Sequence, residues 1–339
     1  MCDRWFSPVP GATWPNRLYA ICGRAAGSRD DLPHNLPPLY DQPSFVRHLD
    51  AHGISWRWYS FEAAGTLRFA DAHYALGHHD RFAFFSRTKM NWKTRLERVD
   101  ADAASFLEDA ARGTLPSVAW IDPNFSNFNP VGFQPNDDHA PADIKDGQEL
   151  VLAVYHALAA SPQWEKTLLV ISYDEHGGFF DHVAPPGAPD DDPQVFGRYG
   201  PRVPALVVSP WVEPRAVSHT VLDHTSIIKT ILLRFCPDAL NERHHGLLAR
   251  VTSPGHPHPM GARVAHAHDL GELLTRTLPR PAPARYALIH DAAARAATRT
   301  RGEPIDGDPL VAHPATDLQL RIAAAIRELR RRGHPANRS

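Results

Sequence analysis

Two continuous apolar runs stand out along the chain. Leu168-Leu169-Val170-Ile171-Ser172-Tyr173 and residues 203–209 each read as a strand buried on both faces, as in a parallel sheet covered by helices. A third strand, Ser117-Val118-Ala119-Trp120-Ile121, ends in Asp122-Pro123, and a fourth spans 54–59, after a short helix over 44–52 that Gly53 stops. Elsewhere the apolar positions recur at helical spacing. Residues 100–112 are rich in alanine and helical in period, closed by Gly113. Ile144, Leu150, Val151, Val154, Tyr155 and Leu158 belong to a helix capped by Asp143 and ended by Ser161-Pro162. Asp223 caps another helix, which carries Ile227, Ile228, Ile231 and Leu232. Residues 1–45, 122–142 and 174–202 are rich in turn formers and read as loops.

Strand, helix, strand, loop, strand, helix is the order of an α/β fold with a mostly parallel central sheet flanked by helices. In such sheets chemistry gathers at the carboxyl ends of the strands, which singles out Asp122, Asp174 and the loop after Ser209. From residue 250 on, Pro, His, Ala and Arg dominate; residues 316–332 read as a terminal helix, and the basic tail beyond Arg330 as disordered. The chain thus divides into a domain over 1–250 and an extension over 251–339. No internal repeat is visible.

Composition narrows this little. Hydrophobic residues are 43%, charged residues 22% and the net charge −2, so no global field selects nucleic acid or an anionic membrane. The chain is unusual in its 32 prolines, which suggest long, stiff loops over a core, and in its 21 histidines, which raise the prior for metal or phosphate chemistry. Its three cysteines form no CxxC pair, and leave room for one disulfide, with Cys2 and Cys22 as the candidates. No apolar run approaches the roughly 20 residues that cross a bilayer, and Met1-Cys2-Asp3-Arg4-Trp5 has no apolar stretch of a signal peptide. The sequence reads as soluble.

Five stretches can carry chemistry. In Tyr173-Asp174-Glu175-His176-Gly177-Gly178-Phe179-Phe180-Asp181-His182, adjacent carboxylates and a histidine follow an apolar strand. A divalent cation takes such carboxylates; the plainer reading is a polar loop with Asp174 capping and Glu175 solvated. In Val9-Pro10-Gly11-Ala12-Thr13-Trp14-Pro15-Asn16-Arg17, Thr13 is a hydroxyl that a metal or base can activate, and Asn16 and Arg17 can donate to phosphate oxygens; the plainer reading is a capped turn at a helix start. Asn136-Asp137-Asp138-His139 offers a loop histidine. His78-His79-Asp80 invites a metal reading, although adjacent histidines on a strand point apart, so that one metal is rarely held by both. Asp223-His224-Thr225 places His224 at a positive helix terminus, a good anion position. The chain has no HExxH, GxSxG, P-loop or GxGxxG signature.

Taken together, these stretches resemble the phosphoesterase family of bacterial phosphatidylcholine-preferring phospholipases C and a related acid phosphatase. Cys2-Asp3-Arg4-Trp5-Phe6 with Val9 to Arg17 resembles its nucleophile segment, and Trp164-Glu165-Lys166-Thr167-Leu168 leading into Tyr173 to Phe179 its metal segment. Asn136 to His139, Val203-Pro204-Ala205 with Ser209-Pro210-Trp211, and Asp223 to Ile227 follow in the family's order. The resemblance covers residues 2–236. It implies an alkaline-phosphatase-like fold, Thr13 as a nucleophile forming a phosphothreonine, and one divalent metal ion on Asp174 and Glu175. It further implies His139 at the phosphate or leaving group, with Asn16, Arg17, His78, His79 and His224 near the substrate. The expected substrate is a phospholipid or a small phosphoester.

The family opens with a strand ending in Glu-Asn-Arg-Ser-Phe-Asp, whose Glu and Asn also bind the metal. No Glu-Asn-Arg occurs here, so the resemblance implies an N-terminally truncated domain lacking its first strand. Three readings follow: a phospholipase C-like diesterase, an acid phosphatase-type monoesterase, or an inactive remnant that serves as a binding module.

Overall fold

A computed structural model describes residues 1–31, 40–60, 70–85, 104–125, 135–140, 144–240 and 260–282. The helix expected over 316–332, the cap at Asp143 and the start of the helix expected over 100–112 lie outside them.

A three-stranded parallel sheet organises one half of the molecule. Strand β1 (Trp56–Ser60) is central, flanked by β2 (Phe82–Phe84) and β3 (Val118–Ile121), in the order β2-β1-β3. Trp58 of β1 lies opposite Trp120 of β3, and the two indoles stack with centroids 4.7 Å apart. Helix α2 (Val46–Ala51) precedes β1, and α3 (Ala72–Gly77) precedes β2. Helix α4 (Phe106–Arg112) begins with a capping box, in which Ser105 and Glu108 each bond the other's backbone N–H, and ends on Gly113 at φ 71°. The long helix α5 (Lys145–Ala160) follows β3 and joins α4 and the sheet in one apolar cluster with Tyr59, Phe85, Phe106 and Trp164.

The last two strands differ from expectation. Strand β4 (Leu169–Ser172) and β5 (Ala205–Val208) pair antiparallel, Leu169 opposite Val208 and Ser172 opposite Ala205. The cause lies in the connection. Residues 173–204 contain only the four-residue helix α6 (Pro193–Phe196), so no crossover helix carries the chain back to the start of β4, and the chain turns and returns beside it. The architecture is mixed α/β, and the parallel strand pairs among the described residues are those of β1–β3. Nor is β4 buried on both faces. All four of its residues are half-buried, because among the described residues β5 is the only strand paired with it.

A helix stands where the sequence reads as loop. Helix α1 (Thr13–Cys22) is buried on nearly every side, and so lacks the polar face that makes an amphipathic helix legible. It ends at Gly23, whose φ of 74° is a left-handed cap that β-carbons disfavour. A β-carbon there would also meet the Met260 carbonyl oxygen. Helix α7 (Thr225–Phe235) and α8 (Gly261–His266) pack with α1, and Leu18, Ile21, Ile228, Leu232, Met260 and Val264 share one core. Met260 and Val264 are therefore part of the main core. Before α1, residues 1–7 are stitched by backbone bonds between residues 201–205 and 216–222. No helix among the described residues is long and apolar enough to cross a membrane. Cys2, Cys22 and Cys236 are all buried free thiols, so the expected Cys2–Cys22 disulfide is not formed; Cys2 packs beside β5 and Cys22 in the α1–α7 core.

Candidate active site

The site is built on the first turn of α1. Asn16 braces the approach to that turn: its Oδ1 accepts from the Val9 N–H, and its Nδ2 donates to the Gly11 and Ala12 carbonyls at 3.1 and 3.0 Å. The side chain is fully buried and all its bonds go to backbone, so it fixes where Thr13 begins the helix. The Asp31 carboxylate accepts the Trp14 N–H at 2.9 Å, a negative group at the positive helix end.

Four residues after Thr13, on the same helix face, stands Arg17. Its NH2 donates to both oxygens of Asp122, at 3.0 and 2.9 Å. Asp122 ends β3, and its oxygens also accept from the indole N–H groups of Trp58 at 2.9 Å and Trp120 at 3.2 Å. The stacked tryptophans thus hold the carboxylate, and the carboxylate holds the guanidinium. The Arg17 guanidinium lies over the Phe125 ring at 4.8 Å, and its Nε is buried without a hydrogen-bond partner.

The acidic part follows β4. Burial pushes the Asp174 carboxyl up to about 6; Glu175 pushes the same way, and the nearby charges of Arg17 and His139 oppose it. Burial also raises Glu175, which the Gly177 N–H and His139 partly offset. His139 Nδ1 lies 3.8 Å and His176 Nδ1 3.3 Å from the Glu175 oxygens. The loop carrying His139 rests on α5 at Gly147, where a β-carbon would collide with the Asp138 carboxylate, and Asp138 accepts from the Tyr173 hydroxyl at 2.6 Å. Its neighbour Asp137 is pushed up to about 6 by burial, and its Oδ1 has no hydrogen-bond partner.

Two of the expected groups take other positions. His224 is 2% exposed, and both its ring nitrogens are engaged. The Trp5 indole N–H donates to Nδ1 at 3.1 Å, and Nε2 bonds the Asp174 backbone carbonyl at 2.7 Å. A carbonyl only accepts, so Nε2 carries the proton and Nδ1 is bare. Protonating Nδ1 would set its N–H against the indole N–H. Burial, with Arg17 nearby, lowers its pKa to about 4. His78 and His79 precede β2, at the amino end of the parallel sheet, opposite the end that carries Asp122. His78 stacks on Tyr74 at 4.0 Å and bonds the Tyr74 carbonyl. The structure therefore brings Arg17, Asp174, Glu175 and His139 near one another, with Thr13 one turn before Arg17 on α1, and puts His78 and His79 at the other end of the parallel sheet. Asp122 was legible as a strand-end carboxylate; Trp5, Asp31 and Asp137 gave no signal of their part.

The His224 arrangement makes acid stability testable. Its folded pKa of about 4 lies below the ordinary 6.5, so the unfolded chain binds a proton that the folded one refuses. Its full contribution is present above pH ~6.5 and is lost as pH falls through about 4, by up to about 3 kcal/mol. In urea melts, His224→Gln should flatten the fall in stability between these two pH values; an unchanged slope would show that another group causes it.

Hard carboxylate oxygens at raised pKa suit a divalent cation, whose charge would offset the burial of Asp174 and Asp137. Among the described residues no three His, Cys, Asp or Glu side chains converge as a ready metal cage.

These features define a mixed α/β protein with an acidic centre after one strand and a clamped guanidinium beside a buried hydroxyl. Residues 1–236 match the model of the Phosphoesterase family, and the chain belongs to that family. It is 36% identical over 247 residues to non-specific phospholipase C6 of Arabidopsis thaliana, covering 68% of this chain and 44% of that protein. It is 29% identical to phospholipase C B of Mycobacterium tuberculosis, covering 69% and 48%, and 30% identical to non-hemolytic phospholipase C of Burkholderia pseudomallei, covering 74% and 40%. The chain spans less than half the length of these relatives.

Proposed function

We propose that the chain is a phosphoric ester hydrolase of phospholipase C type, built on an alkaline-phosphatase-like fold, with Thr13 as nucleophile. The observation that carries this reading is the shared α1 face: a buried hydroxyl at Thr13, and at Arg17 a guanidinium clamped by Asp122 with its Nε left without an acceptor. A phosphoryl oxygen supplies that acceptor, and Arg17 is fixed in advance to receive it.

Thr13 Oγ1 attacks phosphorus, its proton passing to solvent, and the bond from phosphorus to the alcohol oxygen breaks. His139 gives the departing alkoxide its proton; water then cleaves the phosphothreonine ester and returns one proton to His139, while Thr13 takes a proton from solvent to regain its hydroxyl. Arg17 holds the phosphoryl charge, while Asn16 and Asp31 orient the turn that carries Thr13. Asp174 and Glu175 would hold one divalent cation, which when bound lowers the hydroxyl pKa and neutralises phosphoryl charge. His224 positions the Asp174 backbone. The catalytic domain, in this reading, occupies residues 1–250 and is completed by the α8 segment packed on α1.

The test is hydrolysis of a chromogenic phosphocholine diester beside a simple aryl phosphate, with and without added divalent metal. Faster turnover of the diester supports the phospholipase C-type reading. Faster turnover of the aryl phosphate favours the monoesterase. Absence of turnover on both, with metal present, contradicts a catalytic role and favours a binding module.

A further inference from the structure

The loop after the acidic centre exposes two adjacent phenylalanines. Phe179 is 70% and Phe180 94% exposed, while most apolar side chains around them are covered. Disorder of the turn does not explain this, since the turn is pinned at both ends. On one side the Glu175 carboxylate accepts the Gly177 N–H at 2.7 Å, and the Phe179 N–H bonds the His176 carbonyl. On the other, Asp181 is held by two bonds from the Arg202 guanidinium, both at 2.9 Å, and Arg202 also donates to the Asp3 carbonyl. Between these anchors Gly177 and Gly178 take φ of 64° and 77°, left-handed positions that lift the following residues outward. The fold spends a rigid, glycine-dependent turn on holding two aromatic rings in water, where they gain nothing.

We propose that Phe179 and Phe180 form an insertion tip that seats the candidate site on a zwitterionic phospholipid surface. The inference rests on the phospholipid reading above and names the surface that reading requires. The tip begins four residues beyond Glu175, so a bilayer that receives the rings lies against the loop that carries the acidic centre. The charge pattern selects the surface. Residues 174–187 contain no lysine or arginine, and the Asp181 charge is matched by Arg202. Attachment therefore comes from burial of apolar rings, not from attraction to anionic lipid, and it resists salt.

The experiment is co-sedimentation of the chain with phosphatidylcholine vesicles at low and high salt, for the parent, F179S/F180S and F179W/F180W. The parent and the tryptophan variant should bind alike at both salt concentrations, and the serine variant should bind about tenfold more weakly. Hydrolysis of the soluble chromogenic diester should be the same for the parent and the serine variant. Equal vesicle binding by parent and serine variant, or no binding by the parent, overturns the proposal. Binding that appears only with anionic vesicles and vanishes in salt overturns it too. Vesicle binding that depends on the phenylalanines, without turnover of any ester, keeps the tip and refutes the hydrolase reading.

Discussion

Thr13→Ala is expected to lower turnover of a phosphocholine diester by at least about 10³-fold, with the folded structure retained. Removing a nucleophile while leaving the surrounding charge in place typically costs this much or more. The side chain is buried at the first position of α1, and losing its hydroxyl and methyl disturbs little packing. The turn itself is held by Asn16 and Asp31, which do not depend on it. Thr13→Ser should recover part of the rate, because the serine hydroxyl starts from the same helix position. Steady-state rates for the three proteins, together with their thermal unfolding, separate loss of chemistry from loss of fold. A Thr13→Ala protein that turns over within about tenfold of the parent would remove Thr13 from the mechanism.

Arg263→Met is expected to destabilise the protein by about 3–5 kcal/mol, measured as a shift in urea-unfolding free energy. Arg263 lies on α8, is 1% exposed, and sits between the rings of Tyr19 and Tyr199, with its guanidinium carbon 4.7 and 4.8 Å from their centroids. It donates to Asp190 at 3.0 Å and to the carbonyls of Pro8, Pro189 and Phe196. Its NH1 also lies 3.6 Å from the Asp223 carboxylate, whose pKa burial raises and this guanidinium lowers. Methionine fills much of the space but takes a donor from Asp190 and from three carbonyls, and removes the positive charge beside the buried Asp223 carboxylate. A loss under about 1 kcal/mol would mean that water replaces the guanidinium without penalty.

The two predictions also mark what hydropathy can and cannot disclose. Helices α5 and α7 have one apolar and one polar side; α5 lies within two residues of its expected span, and α7 carries the four apolar positions expected of it. Strands β1, β3, β4 and β5 were legible as apolar or aromatic runs, because a short strand needs only local composition. Pairing direction was not. Whether β5 runs with or against β4 depends on how the long connection between them returns, which periodicity does not encode. Helix α1 was legible only as a turn at a helix start, because burial all round erases the period that would mark its length. Buried charge is equally silent: Arg263 looks like one of many arginines in a Pro/His/Arg-rich stretch, and only the folded chain brings it to Asp190 and Asp223.

The candidate site divides in the same way. Asp174 and Glu175 announce themselves as carboxylates after an apolar strand, and Asp122 as the end of another. The role of Arg17 depends on Trp58 and Trp120 aiming their N–H groups at Asp122, an arrangement between neighbouring strands that becomes legible only once β1 and β3 are paired. His224 read as an anion-binding residue from its place before α7. The structure gives both its nitrogens to Trp5 and to the Asp174 carbonyl, contacts more than two hundred positions away for one and fifty for the other. His78 and His79 rested on an adjacent histidine pair and on resemblance, and the parallel sheet puts them at its far end.

The most direct test of the central claim is to trap the covalent intermediate. The chain is mixed with a phosphocholine diester and divalent metal, quenched in acid during turnover, and examined by intact mass and peptide mapping. The expected result is a phosphocholine adduct on the peptide that contains Thr13, absent from Thr13→Ala. Turnover with no adduct, or with the adduct on another residue, would contradict the assignment of Thr13 as nucleophile.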